Sequence, residues 1–145
     1  MRNPAPPTLM EGLVHALSRV DRTLSGRLAE GLERAGCSVE QWRVLVLLSD
    51  GAGHPMSEIA EFALLSAPSL TRIIDRMATD GLVHRRVDER DRRRVLVHIT
   101  REGRELHRSA SDEVQRQERA LLDGNGRGDV ERLLELLEGF AGRLR

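Results

Sequence analysis

Leu82-Val83-His84-Arg85-Arg86-Val87, Asp88-Glu89-Arg90-Asp91-Arg92-Arg93-Arg94, Val95-Leu96-Val97-His98-Ile99: two short β-type runs stand on either side of a turn in which every residue is charged. Aliphatic residues interleaved with polar ones favour strands in the flanks, and the charged stretch between them reads as a solvated turn. Directly upstream, Ser66 to Gly81 reads as an amphipathic helix. Ser66 can cap it, and Pro68 falls in the first turn, where a missing N–H costs nothing. Leu70, Ile73, Ile74 and Met77 recur at i, i+3, i+4, i+7 and form one apolar face. Pro68, Arg72, Asp75 and Thr79 point the other way, flanked by Ser69, Thr71 and Arg76.

Helix, then a β-hairpin with arginines at its tip, is the order of a winged helix-turn-helix. The predicted fold is therefore mainly α with a small β-hairpin wing. Upstream, Met56 to Ala63 fits a short helix with Ile59, Ala60 and Ala63 inward, and Leu64-Leu65 forms the turn into the helix that Ser66 caps. Ser38-Val39-Glu40-Gln41 has capping-box spacing and opens a helix whose Val44–Leu48 run reads as buried nearly all round, ended by Gly51-Ala52-Gly53.

Both ends of the chain are helical by the same reasoning. Thr8-Leu9-Met10-Glu11 opens a helix striped by Leu9, Leu13, Leu17, Val20, Leu24, Leu28 and Leu32 and ending near Gly36. Thr100 can cap a long helix carrying Leu106, Ala110, Val114 and Leu121. Asp123-Gly124-Asn125-Gly126-Arg127-Gly128 reads as a loop. A last helix carries Val130, Leu133, Leu134, Leu137, Phe140, Ala141 and Leu144. Apolar stripes at both ends, with no spare central surface to cover them, point to packing on a second copy of the chain, and a two-fold dimer is the commonest closed solution. The expected division is a disordered leader at 1–7, an N-terminal dimerisation helix at 8–36, a winged helix-turn-helix lobe at 37–100 and C-terminal dimerisation helices at 101–145.

Composition narrows the function. All 23 basic residues are arginine, they are balanced by 23 acidic ones, and the formal net charge is +0, which argues against nucleic-acid binding through bulk charge. Locally the balance shifts: between Ser66 and Arg94 eight arginines meet five acids. No run approaches the ~18 apolar residues that span a bilayer, so no membrane partner is expected. The first residues lack a hydrophobic signal core, and a single Cys fits a reducing cytoplasm.

The chemistry of this local excess suits double-stranded DNA. The major groove admits a helix, and short polar groups and arginines read base edges. Ser66, Pro68, Ser69, Thr71, Arg72 and Arg76 supply that chemistry, with Arg72 able to reach a guanine edge bidentately. The same residues would also suit an ordinary solvated helix face. The Arg92-Arg93-Arg94 tip tilts the balance, because an arginine on a hairpin tip can enter the adjacent minor groove. Asp91, two residues before Arg93, has suitable spacing to fix that side chain.

These motifs, in this order, closely resemble the MarR family of bacterial transcription regulators. The resemblance runs from about Leu9 to Leu144. It is densest in Met56-Ser57-Glu58-Ile59-Ala60, Ser69 to Met77, Asp80-Gly81-Leu82-Val83, Asp91 to Thr100 and Gly103, with Gln41-Trp42-Arg43-Val44-Leu45 also matching. The resemblance implies a homodimer with intertwined terminal helices, each winged helix taking one half of a palindromic operator. Arg93 would be the minor-groove arginine, Asp91 its buttress and the helix from Ser66 the recognition helix. It also implies a repressor released by a small phenolic or anionic effector bound between the dimer region and the lobe. Trp42 reads first as a core anchor at the base of the second helix and second as a wall of the effector pocket, with Arg43 and His15 as the further pocket candidates. A winged-helix protein-interaction module without DNA binding is the alternative, and the arginine tip argues against it.

Other chemistry finds little support. Cys37 raises a cysteine-based redox regulator as a further alternative. The thiol-sensing relatives, however, carry their cysteine near the start of the first helix, and Gly36-Cys37-Ser38 offers no charge to activate a thiol. The five histidines show no metal-ligand spacing. No nucleophile, base and orienting group, Gly-rich phosphate loop or motif-paired carboxylate appears, so neither an enzyme, a metal nor a cofactor is expected.

Overall fold

The computed structural model describes residues 8–124 and 126–144. The expectation of a disordered leader falls on residues 1–7, outside the described residues. Among the described residues six helices and three strands follow in the order α1 (Leu9–Arg34), α2 (Val39–Leu48), β1 (His54–Pro55), α3 (Met56–Ala63), α4 (Ala67–Thr79), β2 (Val83–Val87), β3 (Val95–Ile99), α5 (Arg101–Gly124) and α6 (Arg127–Arg143).

Local capping sets most of these boundaries. Thr8 and Glu11 make the reciprocal capping box of α1, and Ser38 and Gln41 make that of α2. The Ser66 hydroxyl accepts the Ser69 N–H at 3.3 Å and opens α4. Between α3 and α4 the chain reverses at Leu64, which adopts the left-handed conformation (φ 56°). This region usually falls to glycine.

Leu45, Leu48, Ile59, Leu70, Ile74, Met77 and Val97 are fully enclosed and form one core beneath α2, α3, α4 and β3. Leu32 brings the end of α1 into that core, and Ala110 brings in α5. In the Val44–Leu48 run, Val44, Leu45 and Leu48 are buried while Val46 and Leu47 stay half-buried, so α2 is less enclosed than the sequence predicts.

The expected hairpin of β2 and β3 forms, and β1 extends it to three antiparallel strands in the order β1-β3-β2, pairing His54 with Val97 and Pro55 with Leu96. One further expectation is corrected. The loop expected at 123–128 is far shorter. Asp123 and Gly124 continue α5, Arg127 and Gly128 begin α6, and of the stretch only Gly126 is described outside a helix. Arg127 spans the junction, 3.6 Å from both Glu118 and Glu131.

The base of the wing is a tight junction. Gly81 takes φ 72° to end α4, and the Thr100 hydroxyl donates to the Gly81 carbonyl at 2.6 Å. The Thr100 N–H donates to the Leu82 carbonyl at 3.0 Å, and the Thr100 oxygen accepts the Gly103 N–H at 3.0 Å, capping α5 as expected. A Cβ on Gly103 would lie 2.2 Å from the Leu82 carbonyl oxygen and 2.8 Å from Ile99. Farther along, Glu113 joins α5 to α1 through Arg34 at 3.2 Å and also bonds Arg116. The Arg116 hydrogen bond, then that of Arg34, holds the Glu113 carboxyl below its ordinary range against the opposing effect of burial.

The Gly103 contact generates a prediction. Gly103→Ala forces α5 off the wing base and is expected to cost ~1–3 kcal/mol, as over-packing does. Urea denaturation should show a lower midpoint, and an unchanged midpoint would disprove the close approach.

Candidate nucleic-acid interface

Two exposed arginine-bearing elements lie side by side. On α4, Ser66, Pro68, Thr71, Arg72 and Arg76 are exposed and Ser69 is half-buried. On the wing turn, Asp91, Arg92, Arg93 and Arg94 are all exposed. Arg85 of β2 pairs with Asp75 of α4 at 2.5 Å and ties the strand to the helix.

The residues expected to read DNA divide by what already holds them. Ser66 is occupied in capping and also donates to the Ser69 hydroxyl at 2.9 Å. Thr71 donates to the Ala67 carbonyl at 2.9 Å, which leaves its oxygen lone pairs outward. Arg76 is paired with Asp80 at 3.4 Å, and Arg94 lies 3.9 Å from Glu58 of α3. The guanidinium groups of Arg72, Arg92 and Arg93 have no hydrogen-bond or ion-pair partner among the described residues. Arg72 edges a hollow of about 340 Å³ together with Ser38, Glu40, Leu65, Ser69 and Ile73.

Asp91 buttresses Arg93 in a different way from that expected. Its Oδ1 accepts the backbone N–H of Arg93 at 3.1 Å, and its carbonyl accepts the N–H of Arg94 at 2.9 Å. An Asx turn thus shapes the tip, and the arginine side chain is left unpaired. Asp88 repeats the device one turn earlier, accepting the Arg90 N–H at 2.9 Å.

The candidate pocket residues occupy three neighbourhoods. Trp42 of α2 stacks on His107 of α5, ring centroids 5.2 Å apart. Arg43 donates to the Ala63 carbonyl at 3.4 Å. His15 lies with Ser18, Arg19 and Arg22 on the exposed stretch of α1. Burial lowers the pKa of His107 and favours its neutral ring.

Some groups at this interface escape a reading of the sequence. His54 on β1 hydrogen-bonds Asp50 through Nε2 and Glu58 through Nδ1, both at 2.8 Å. The spacing of four is visible in the sequence, but His54 sits outside any helix, so helix pairing rules do not find it. His84 and His98 stack across β2 and β3 with centroids 5.4 Å apart. Burial first, and then the positive surroundings of His84, Arg86 and His54, lower the pKa of His98. Among the described residues no group of three or more His, Cys, Asp or Glu is placed to hold a metal ion.

Residues 37–95 match the family model described as MarR family. The chain is similar to the HTH-type transcriptional regulator FarR of Neisseria gonorrhoeae, 33% identical over 110 residues that span 76% of this chain and 75% of that protein. Among solved structures it is similar to the transcriptional repressor CouR bound to a 23-mer DNA duplex. The TM-score is 0.84 at 26% identity, covering 97% of this chain and 99% of that one. CouR from Rhodococcus jostii RHA1 bound to p-coumaroyl-CoA is similar at a TM-score of 0.81 and 27% identity, over 94% of this chain and 96% of that one.

Cys37 is buried, its Sγ 3.4 Å from the Ser38 carbonyl, and burial pushes its pKa up to about 11. At neutral pH such a thiol is thiolate in only about one molecule in ten thousand. Iodoacetamide at neutral pH should therefore label the folded protein slowly and the denatured protein much faster, as read by mass spectrometry. Rapid labelling of the folded chain would reinstate the redox alternative.

Proposed function

The chain belongs to the MarR family, and from that premise we propose that two copies act as a repressor, each seating α4 in the major groove and its wing in the adjacent minor groove of a palindromic operator. The observation that carries this reading is the set of uncommitted guanidinium groups. Arg72 on α4 and Arg92 and Arg93 on the wing tip, with Arg86 and Arg90 beside them, are exposed, and their guanidinium groups have no hydrogen-bond or ion-pair partner among the described residues. Arg76, Arg85 and Arg94 are instead engaged by carboxylates. In this reading Arg93 enters the minor groove, Arg72 reads a base edge, and Ser66, Pro68, Ser69 and Thr71 line the groove-facing helix. Half-sites then lie about one helical turn (~34 Å) apart.

The dimer rests on exposed apolar surface. Leu9, Leu13, Leu17, Val20 and Leu24 of α1 and Leu133, Leu134 and Leu136 of α6 are all more than a third exposed. Apolar stripes of that length on a lone chain mark an interface. We assign 8–36 and 101–145 to dimerisation and 37–100 to DNA binding.

Because the CouR relative binds p-coumaroyl-CoA, we infer a small phenolic or anionic effector here. It would be met between lobe and dimer region by Trp42 and Arg43. His15, beside Arg19 and Arg22, would reach it only in the dimer. No helix among the described residues is long and apolar enough to cross a membrane. The action we propose is cytoplasmic and non-enzymatic.

A gel shift with the gene's own upstream region, run across a salt series, tests this function. A specific shift that weakens with salt is expected, and no specific binding at low salt would refute the repressor. Arg93→Ala should weaken operator and random DNA alike and flatten the salt slope, since it removes a contact in the phosphate-rich groove. Arg72→Ala should cost ~1–3 kcal/mol on the operator and relax preference at one base pair. Equal loss on random DNA would reduce Arg72 to a phosphate contact.

The Asx turn gives a sharper pair of variants. Asp91→Asn keeps an oxygen for the Arg93 N–H and should retain most binding, whereas Asp91→Ala should lose it. Equal loss in both would show that the charge of Asp91 matters, not its turn.

A further inference from the structure

Four charged side chains form a continuous chain from the end of α2 to the wing. Asp50, just past α2, bonds Nε2 of His54 at 2.8 Å, and Nδ1 of His54 bonds Oε2 of Glu58 at 2.8 Å. The other carboxylate oxygen of Glu58 lies 3.9 Å from the Arg94 guanidinium, at the point where the wing turn re-enters β3. The backbone of Arg94 in turn closes that turn. Its carbonyl accepts the Asp88 N–H at 2.8 Å, and its N–H donates to Asp91.

We propose that His54 is a positioning residue for DNA binding, a protonated clasp that holds Glu58 where it anchors Arg94 and so fixes the angle of the wing. The inference deepens the operator-binding reading and rests on it.

The geometry requires the charged ring. A neutral imidazole donates through one nitrogen only, so at 2.8 Å from two carboxylates its other nitrogen would face an anion with a lone pair. Only the imidazolium satisfies both. The His54 side chain is 14% exposed, so water does little to relieve that conflict. On deprotonation one carboxylate must move. Asp50 is also held by the Ala52 N–H at 2.9 Å, while among the described residues Glu58 has only the distant Arg94 as a second partner. Glu58 is therefore the arm that swings, and Arg94 loses its anchor.

Other charged groups around His54 set its balance. Asp50 faces it from the end of α2 and Glu58 from α3. From β3 comes His98, backed by His84 and Arg86 of β2, and Arg94 stands behind Glu58. Burial pulls the His54 pKa down, but the hydrogen bonds of Glu58 and Asp50 outweigh it and leave the pKa above the ordinary 6.5. The clasp thus contributes in full below about pH 6.5 and is lost as pH rises through the higher folded-state value.

A loosened wing must be ordered again when it meets the groove, which weakens binding. The imidazolium also adds a positive charge near the duplex, and the two effects have the same sign.

Fluorescence anisotropy of the full chain with a labelled duplex of its own upstream region, at constant ionic strength from about pH 6 to about pH 8.5, tests the proposal. Wild-type affinity should fall about threefold or more across that range. His54→Gln should be flat, at the wild type's high-pH affinity. A wild type without pH dependence, a slope of opposite sign, or the same slope in His54→Gln would overturn the proposal. Should His54→Gln not fold, Glu58→Gln, half-exposed and outside the core, is expected to bind more weakly than the wild type at about pH 6 and to show a shallower pH slope, and wild-type behaviour in it would overturn the clasp. If the wild type binds no duplex at any pH, the operator reading fails on its own. Hydrogen exchange of the Asp88–Arg94 amides, corrected for intrinsic rates, then decides the clasp: protection should drop at high pH and in the variant, and equal protection throughout would rule it out.

Discussion

Around Leu82, α4 ends, the wing begins and α5 docks, all through two carbonyl oxygens and one hydroxyl. The Gly81 carbonyl takes the Thr100 hydroxyl, the Leu82 carbonyl takes the Thr100 N–H, and the same hydroxyl oxygen caps α5 at Gly103. The missing Cβ of Gly103 lets the α5 backbone sit against that carbonyl. Satisfying so many backbone groups at one point leaves little freedom in the angles between α4, the wing and α5. The rest of the interface inherits its geometry from this junction.

Charge is then distributed on that frame by use, not by amount. The chain is neutral overall, and attraction to DNA through bulk charge is absent. Carboxylates nonetheless engage Arg76, Arg85 and Arg94 and, among the described residues, leave Arg72, Arg86, Arg90, Arg92 and Arg93 open. Exposed pairs such as Arg76–Asp80 contribute little to stability. Their effect is to hold the elements that present the open arginines, which lowers the ordering cost when those meet a partner.

Which features were legible in the sequence follows from the range of the forces involved. Helix starts at Thr8, Ser38 and Ser66, the α4 face and the β3 run depend on neighbours three or four residues away, and the pattern exposes them. The strand β1 is two residues long and includes a proline, so no periodicity can reveal it; it exists because β3 offers a free edge. The Gly-rich 123–128 stretch signals a loop by composition, but helix propensity is a weak prior, and Arg127 bridges Glu118 and Glu131 across the junction. For Asp91 the spacing points to a side-chain buttress and the fold shows an Asx turn at the same aspartate, two devices that call for the same residue type. Asp75–Arg85 and the His54 clasp join elements whose approach only the fold determines.

The remaining question is how a ligand far from the wing could alter its grip, and α5 supplies the mechanical answer. One helix carries Gly103 at the wing base, His107 stacked on Trp42 of α2, and Glu113 bonded to Arg34 of α1. An effector seated beside Trp42, as proposed, would press on His107 and so on α5. A shift of α5 bears on the wing base, because Thr100 at its start bonds the Gly81 and Leu82 carbonyls and Gly103 packs closely beside Leu82. The Glu113–Arg34 tie meanwhile keeps α5 with α1, whose exposed stripe is the proposed dimer surface. In the proposed dimer the lobe would then turn relative to its partner as a unit, changing the spacing of the two α4 helices. A coupling of ~1–3 kcal/mol suffices for release, about the size of one lost base contact.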